Sequence, residues 1–418
     1  MPTPPFAVLT LEYRLNTPLF LGGAEPNEPE IRAPSLRGAL HKWFRAADPR
    51  FGDHEFGLFG NAGRDGASQG RLTVRLDPLT GGRETPEFRK ASFGRFTQRV
   101  GRYDRNGVTY LGFPFDMGVN LRRYIVPTPS TRLIARLVVH CPPVRSQAKA
   151  ASIEAQATRD RRGLLAAAWL LGRLGGLGAR TRRGFGSLDL VGWQISPEAP
   201  DRERWLADMG TLPLVGSATP QRWFQDFANG RHALRTQWFP GAPEKPDAVP
   251  HIGDRFKAVM LTRGHEGDQG WQSALNEAGR SLQDFRALTE PDYTAVKRHI
   301  LARNRAPEGQ FLTAAPRRAA FGLPLVFRFT SLKNAGMRPS SAEFLPAPTE
   351  KDRRPPVRQG SPLYLHVLRA TDGLHGLFAL MDGPVPGLDP RAGEARFAGT
   401  RFSPTDRSVL EQFLATLR

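Results

Sequence analysis

Residues 6–47 read FAVLTLEYRLNTPLFLGGAEPNEPEIRAPSLRGALHKWFRAA, and within them the hydrophobic period changes. Phe6 to Leu15 alternates between apolar and polar residues, the period of a strand with one buried face. TPLFLGGAEPNEPE is a loop by its glycines, prolines and charges. Leu36, Ala39, Leu40, Trp43 and Ala47 then fall on one side at helical spacing, so a helix is expected from Pro34-Ser35 to about Ala47. Ser35 is a candidate N-cap, or Pro34 occupies the first helical position.

Working outward, RLTVRLD (71–77) and TRLIARLVVH (131–140) alternate as strands. Asp160 to Leu174 is apolar nearly all round and is expected to be a buried helix. GFGSLDLVGW (184–193) is a fourth strand. Strand, helix, strand, strand, helix, strand is the ferredoxin-like order, and it fills residues 1–196. An insertion at about 78–130 separates the second and third strands; a loop that long in a compact domain is functional or disordered. Beyond 196, helical periodicity appears at 219–229, 271–288 and 292–304, and strand patterns at 322–330, 361–370 and 374–382. Met337 to Pro362, rich in proline, serine and charge, is expected to be a loop. The expected fold class is α+β, with two ferredoxin-like (RRM-like) domains: 1–196 with its insertion, and a decorated 197–418.

Two domains suit a chain of 418 residues, and 39% apolar residues supply their cores. The formal charge is +19, carried by 51 arginines against 8 lysines. Arginine presents a planar fork of donors that matches phosphate and stacks on bases. A pI near 11 points to a polyanionic partner, most simply nucleic acid. Residues 1–196 carry a net charge of +13 and the remainder +6, so the polyanion surface is expected mainly on the first domain. The single cysteine, Cys141, excludes an internal disulfide framework and a cysteine-based zinc site, and fits a reducing cytoplasm. MPTPPFAVLTLEY lacks the basic start and apolar core of a signal peptide. Leu164 to Leu177, interrupted by Arg173 and glycines, is too short to span a bilayer. A cytoplasmic, soluble protein without membrane partners is expected, and no metal or organic cofactor has a signature.

Three segments carry candidate chemistry. On the 34–47 helix, Arg37, His41 and Arg45 are spaced four apart, and Arg32 precedes them. They form either a solvated basic face or a rail along phosphates, to which the helix N-terminus would add N–H donors. The second segment, GGLGARTRRGFGS (175–187), mixes glycines, which let backbone N–H groups approach phosphate, with Arg180, Arg182 and Arg183. No Gly-Lys-Ser/Thr follows, so it is not a Walker loop. Phe185 either stacks on a base or fills the core. The insertion supplies Arg89, Lys90, Arg95, Arg99, Arg102, Arg105, Arg122 and Arg123, opposed by Asp104 and Asp116. Phe88, Phe93, Phe96, Tyr103, Tyr110, Phe113, Phe115 and Tyr124 interleave with them. Basic groups can track a backbone while aromatics stack on bases; about half of these rings are expected to be structural instead.

TPLFLGG, RAPSLRGALHKWFRA, FGLFGN, LGGLGARTRRGFGSL, RAAFGLPLVFRF and VRQGSPLYLHVLR together resemble the RAMP superfamily of CRISPR proteins. Within it they are similar to the RAMP subunit numbered first in the type III-B (Cmr) effector complex, over nearly the whole chain and least around 195–315. The resemblance implies two ferredoxin-like halves and a non-catalytic subunit beside the other subunits of the complex. Such a subunit helps hold guide RNA near its 3′ end and the paired target RNA in antiviral defence. Carried over by position, Arg32, Ser35, Arg37, His41, Lys42, Arg45, Gly178, Arg180, Arg182, Arg183 and Gly184 line the RNA-facing surface. His41-Lys42 departs from the arginine or aromatic residues expected there. The alternative is a metal-independent endoribonuclease processing CRISPR RNA, with His41 as general acid or base. A metal-dependent nuclease would need clustered carboxylates; Glu25, Glu28 and Glu30, or Asp53 and Glu55, are more simply solvated acidic stretches.

Overall fold

The computed structural model describes residues 6–25, 27–48, 50–63, 66–82, 84–101, 103–141, 150–216, 218–241, 249–289, 292–305, 312, 315–346, 358–385 and 406–417. Strand β1 spans Phe6–Leu15, helix α1 Ala33–Ala47, β2 Leu72–Leu76, β3 Arg132–His140, α2 Ala150–Leu174 and β4 Leu188–Ile195. The four strands form one antiparallel sheet in the order β2-β3-β1-β4. The third strand thus lies between the first two, as two interleaved β-α-β crossovers require.

Every second residue of β1, from Ala7 to Leu15, is buried, so the helices cover one face. Tyr13 closes that face by donating its hydroxyl to the Ala168 carbonyl at 3.0 Å. Gly163 and Gly172 let α2 approach its neighbours. A Cβ would meet the Phe44 ring at 2.2 Å in the first case and Leu190 at 2.4 Å in the second. Helix α1 begins with Arg32 as its N-cap residue and a proline in its first turn. Ser35 lies inside the helix and does not cap it, and Pro34 takes the second helical position rather than the first, still in the turn whose N–H groups lack intrahelical partners. Helix α2 starts ten residues before the expected Asp160, and its exposed first half explains the difference: apolar periodicity marks only the buried part. Strand β4 starts at Leu188 rather than Gly184, because Gly184 and Gly186 take positive φ of 82° and 64° and break the pleat.

The described residues of the insertion are folded. They contain 3-10 turns at Lys90–Phe96 and Gly118–Asn120, a hairpin of Gln98–Val100 with Tyr103–Arg105, and a short helix at Gly107–Gly112. Phe88, Phe93 and Tyr124 are buried.

Further on lie α3 (Arg202–Thr211), α4 (Pro220–His232), β5 (Lys257–Met260), α5 (Gly270–Leu288), α6 (Asp292–Arg305), β6 (Leu325–Arg328), β7 (Ser341–Phe344), β8 (Leu363–Ala370), β9 (Gly373–Leu380) and α7 (Ser408–Ala415). Strand β7, paired with β6, occupies part of the stretch expected to be a loop; its four residues are too few for a periodicity to stand out. Strands β8, β9 and β5 make a three-stranded sheet, and β6 and β7 a two-stranded one. Among the described residues no second four-stranded sheet forms.

The chain divides into two compact units, Met1–Arg280 with Tyr364–Asp382, and Ser281–Leu363 with Gly383–Arg418. This division does not coincide with the expected one at 196. Trp205, Trp223 and Phe227 share the first core, where Phe227 stacks on Trp169 at 5.4 Å, and Tyr364 and Leu368 join them. The second unit has its own core, with Val296, Ile300, Phe327, Phe329 and Phe344 among its members.

Candidate nucleic-acid interface

Helix α1 presents Ser35, Gly38, Ala39 and Lys42 along one line, as spacings of three and four require. Facing it are the segment Phe20–Gly22 and the glycine-rich turn Gly176–Thr181. Together they enclose an open cleft of about 460 Å³. Glycine is needed in this turn for close backbone packing. Gly178 has φ +86°, and a Cβ there would lie 2.3 Å from the Phe20 carbonyl; at Gly186 it would lie 2.0 Å from that of Leu177.

Strand β8, almost two hundred residues further on, holds the turn in place. Leu365 N–H donates to the Arg182 carbonyl at 3.1 Å, and His366 Nδ1 donates to that of Gly175 at 2.9 Å. Val367 N–H donates to the Ser187 hydroxyl at 3.0 Å. From the other side, the Thr17 hydroxyl donates to the Gly184 carbonyl at 2.6 Å.

Tyr364 of β8 receives two cations. Lys42 Nζ lies 4.5 Å from its ring centroid and the Arg182 guanidinium 5.0 Å. Burial pushes the Lys42 ammonium below its ordinary value; Tyr364 opposes this and Arg182 adds to it. Among the described residues no carboxylate pairs with Lys42. An anion entering the cleft would relieve both the desolvation and the like-charge repulsion.

Ser35, Lys42 and Gly178 therefore line one cleft, with Arg182 beside it. The rail of Arg37, His41 and Arg45 lies elsewhere. Arg37 donates to the Phe59 carbonyl. Arg45 Nε and Nη2 donate to the two Glu55 oxygens at 2.5 and 3.1 Å. His41 Nε2 lies 2.7 Å from Glu55 Oε2, and its ring stacks on Phe59 at 4.3 Å. Burial pushes the Glu55 carboxyl up, but its His41 and Arg45 partners outweigh this and hold it below the usual range. Glu55 is buried, so it is no solvated acid: it anchors the short helix Glu55–Phe59 to α1.

Arg180, at φ +64°, donates to the Phe113 carbonyl and lies 5.4 Å from the Phe115 ring. Arg183 is half-buried and bridges to Leu365 through its backbone. Phe185 is fully buried in a cluster of rings with Phe20 and Phe88 at 5.2 and 5.7 Å. It fills the core and does not stack on a base.

In the insertion, Arg89 pairs with Glu87, Arg99 with Asp104 at 3.4 Å and Arg123 with Glu28 at 3.0 Å. Arg95 donates to Gln272 at 2.7 Å, and Arg122 to Asn27 at 2.5 Å. Arg105 is half-buried, whereas Arg32 and Lys90 are exposed. Arg102 lies outside the described residues. Tyr103 and Phe113 remain exposed.

A family model described as the RAMP superfamily matches residues 12–189, which include α1 and the glycine-rich turn but not β8. No protein of curated function matches the chain. Among solved structures it is similar to Cmr1 from Pyrococcus furiosus in its apo form, at 15% identity and a TM-score of 0.50, covering 98% of this chain and 96% of that one. Two chains from cryo-EM structures of the type III-B Cmr-beta complex bound to cognate target RNA, one of them also with AMPPnP and in the presence of ssDNA, are similar at 10% and 11% identity. Their TM-scores are 0.49 and 0.48, with 98% of both chains covered in each case. The fold of the chain is that of Cmr1.

Within residues 12–189, α1 and the glycine-rich turn were legible as basic and glycine-rich segments. Tyr364 and His366, outside the matched residues, were missed, because LYLHVLRA reads only as an alternating strand. Among the described residues there is no group of three or more histidine, cysteine or acidic side chains able to hold a metal ion. No helix among them is long and apolar enough to cross a membrane.

Proposed function

We propose that this chain is an RNA-binding subunit of a type III-B CRISPR (Cmr) effector complex. It holds guide RNA near its 3′ end and the paired target RNA in the cytoplasm, beside the other subunits, and does not itself cut RNA. The observation that carries this reading is the cleft lined by Lys42, which shares the Tyr364 ring with Arg182 and has no carboxylate partner among the described residues. A cleft that desolvates a cation and leaves it unneutralised suits a phosphate chain. The RAMP match and the +13 charge of residues 1–196 support the same partner. Arg180 stands between the cleft-lining Ala179 and Thr181, and Arg32 and Lys90 are exposed cations that could add to a basic surface.

His41 as catalyst is less well supported. One ring nitrogen is held by Glu55 and one ring face by Phe59, which suits an anchoring task. The test is to incubate purified protein with end-labelled single-stranded RNA in EDTA and run native and denaturing gels. A salt-sensitive shift with intact RNA is expected. Discrete metal-independent cleavage, lost in His41→Ala, would overturn the reading.

A further inference from the structure

The face of the first sheet turned away from α1 and α2 carries a second pattern. Phe6 on β1 stands opposite His140 on β3, the two central strands; their rings are 6.2 Å apart at 61°, and both residues are exposed. Two residues along, Val8 stands opposite Val138 and Val138 opposite Thr73. At the next level Arg75, Arg136, Thr10 and Gln194 line up across all four strands. Below these, Glu12 pairs with Arg132 at 3.1 Å and Asp189 with Arg14 at 2.7 Å.

Arg75 and Arg136 are directly opposed. Like charges in that position destabilise a sheet. Asp77 pairs with Arg136, but among the described residues Arg75 is exposed and has no ion pair. Asp77, Glu12 and the buried Asp189 are thus matched by arginines, and Arg75 is left beside Arg136. A phosphate between Arg75 and Arg136 would turn that repulsion into attraction. Two exposed rings on the central strands of a four-stranded sheet are also the platform by which this architecture stacks unpaired bases.

We propose that this open sheet face is a second contact surface for single-stranded RNA, with Phe6 and His140 stacking on bases and Arg75 and Arg136 sharing a phosphate. It rests on the RNA-binding reading above but uses none of the cleft's residues.

The test measures the affinity of the full chain for a short unstructured single-stranded RNA by fluorescence anisotropy. It compares wild type, Phe6→Ala with His140→Ala, Phe6→Trp, and Arg75→Ala with Arg136→Ala. Loss of the two rings should weaken binding about fivefold or more, the low end for one lost base stack. That loss should leave the salt slope and the thermal midpoint unchanged, and Phe6→Trp should retain binding. Arg75→Ala with Arg136→Ala should lower the salt slope by about 0.7, the single-strand value for the one phosphate they share. Wild-type binding that the ring variant leaves intact would overturn the second surface while the cleft reading stands. Failure of the wild type to bind RNA at all would remove both.

Discussion

Replacing Lys42 and Arg182 together by alanine separates the cleft from the rail on α1. Both cations face the Tyr364 ring, at 4.5 and 5.0 Å, beside a cleft of about 460 Å³. Each neutralised phosphate on a single strand contributes about 0.7 to the slope of log K against log salt. Two lost contacts should make that slope shallower by roughly 1.4. A charge-assisted hydrogen bond is worth about 1.5–3 kcal/mol, and an open cleft takes the low end. Two contacts then amount to about 3 kcal/mol, or roughly 100-fold in affinity at low salt. The comparison is Arg37→Ala with Arg45→Ala, equal in charge removed. Arg45 is committed to Glu55 and Arg37 to the Phe59 carbonyl. That pair should change the slope by less than about 0.7 while lowering the unfolding midpoint. Anisotropy titrations at several salt concentrations, with thermal melts of each variant, give both quantities. An equal or larger slope change in the rail variant, at an unchanged midpoint, would refute the assignment.

Glu55→Gln should cost about 1–3 kcal/mol near neutral pH, because His41 and Arg45 lose their charged acceptor. The folded-state carboxyl lies below its ordinary 4.5, so its contribution is complete above that value and lost as pH falls through the lowered one. The gap from wild type in urea-unfolding free energy should therefore close below about pH 4.5. Gly186→Ala, at φ +64° with its Cβ 2.0 Å from a carbonyl, should destabilise by at least about 1–2 kcal/mol and weaken RNA binding by displacing the turn. Phe185→Ala should cost about 3–5 kcal/mol in the same unfolding assay, as for a core ring; a variant of native stability that binds RNA weakly would restore the base-stacking role. Because Lys42 is pushed below its ordinary 10.5, wild-type affinity for a base-stable 2′-O-methyl RNA should fall with rising pH before that of Lys42→Arg, whose guanidinium stays charged. Parallel titration curves would show that Lys42 does not meet the phosphates.

Local periodicity determined the four strands and two helices of the first sheet. Alternation over Phe6–Leu15 and helical spacing over residues 34–47 are properties of short segments, so the order of strands and helices followed without knowledge of contacts. The +19 charge and the glycine-rich turn were equally plain, and they pointed to a polyanion. Which cations are available to that polyanion was decided only by the tertiary structure. Arg37, His41 and Arg45 look as free as Lys42 along the chain, but Glu55 and Phe59 fold back onto three of them and leave the fourth. Tyr364 and His366 come to the turn from a strand whose alternation carries no mark of the site. Phe185 had two readings until the rings of the insertion closed around it. Propensity and period act over a few residues, whereas ion pairing and burial depend on which distant segments the backbone brings together.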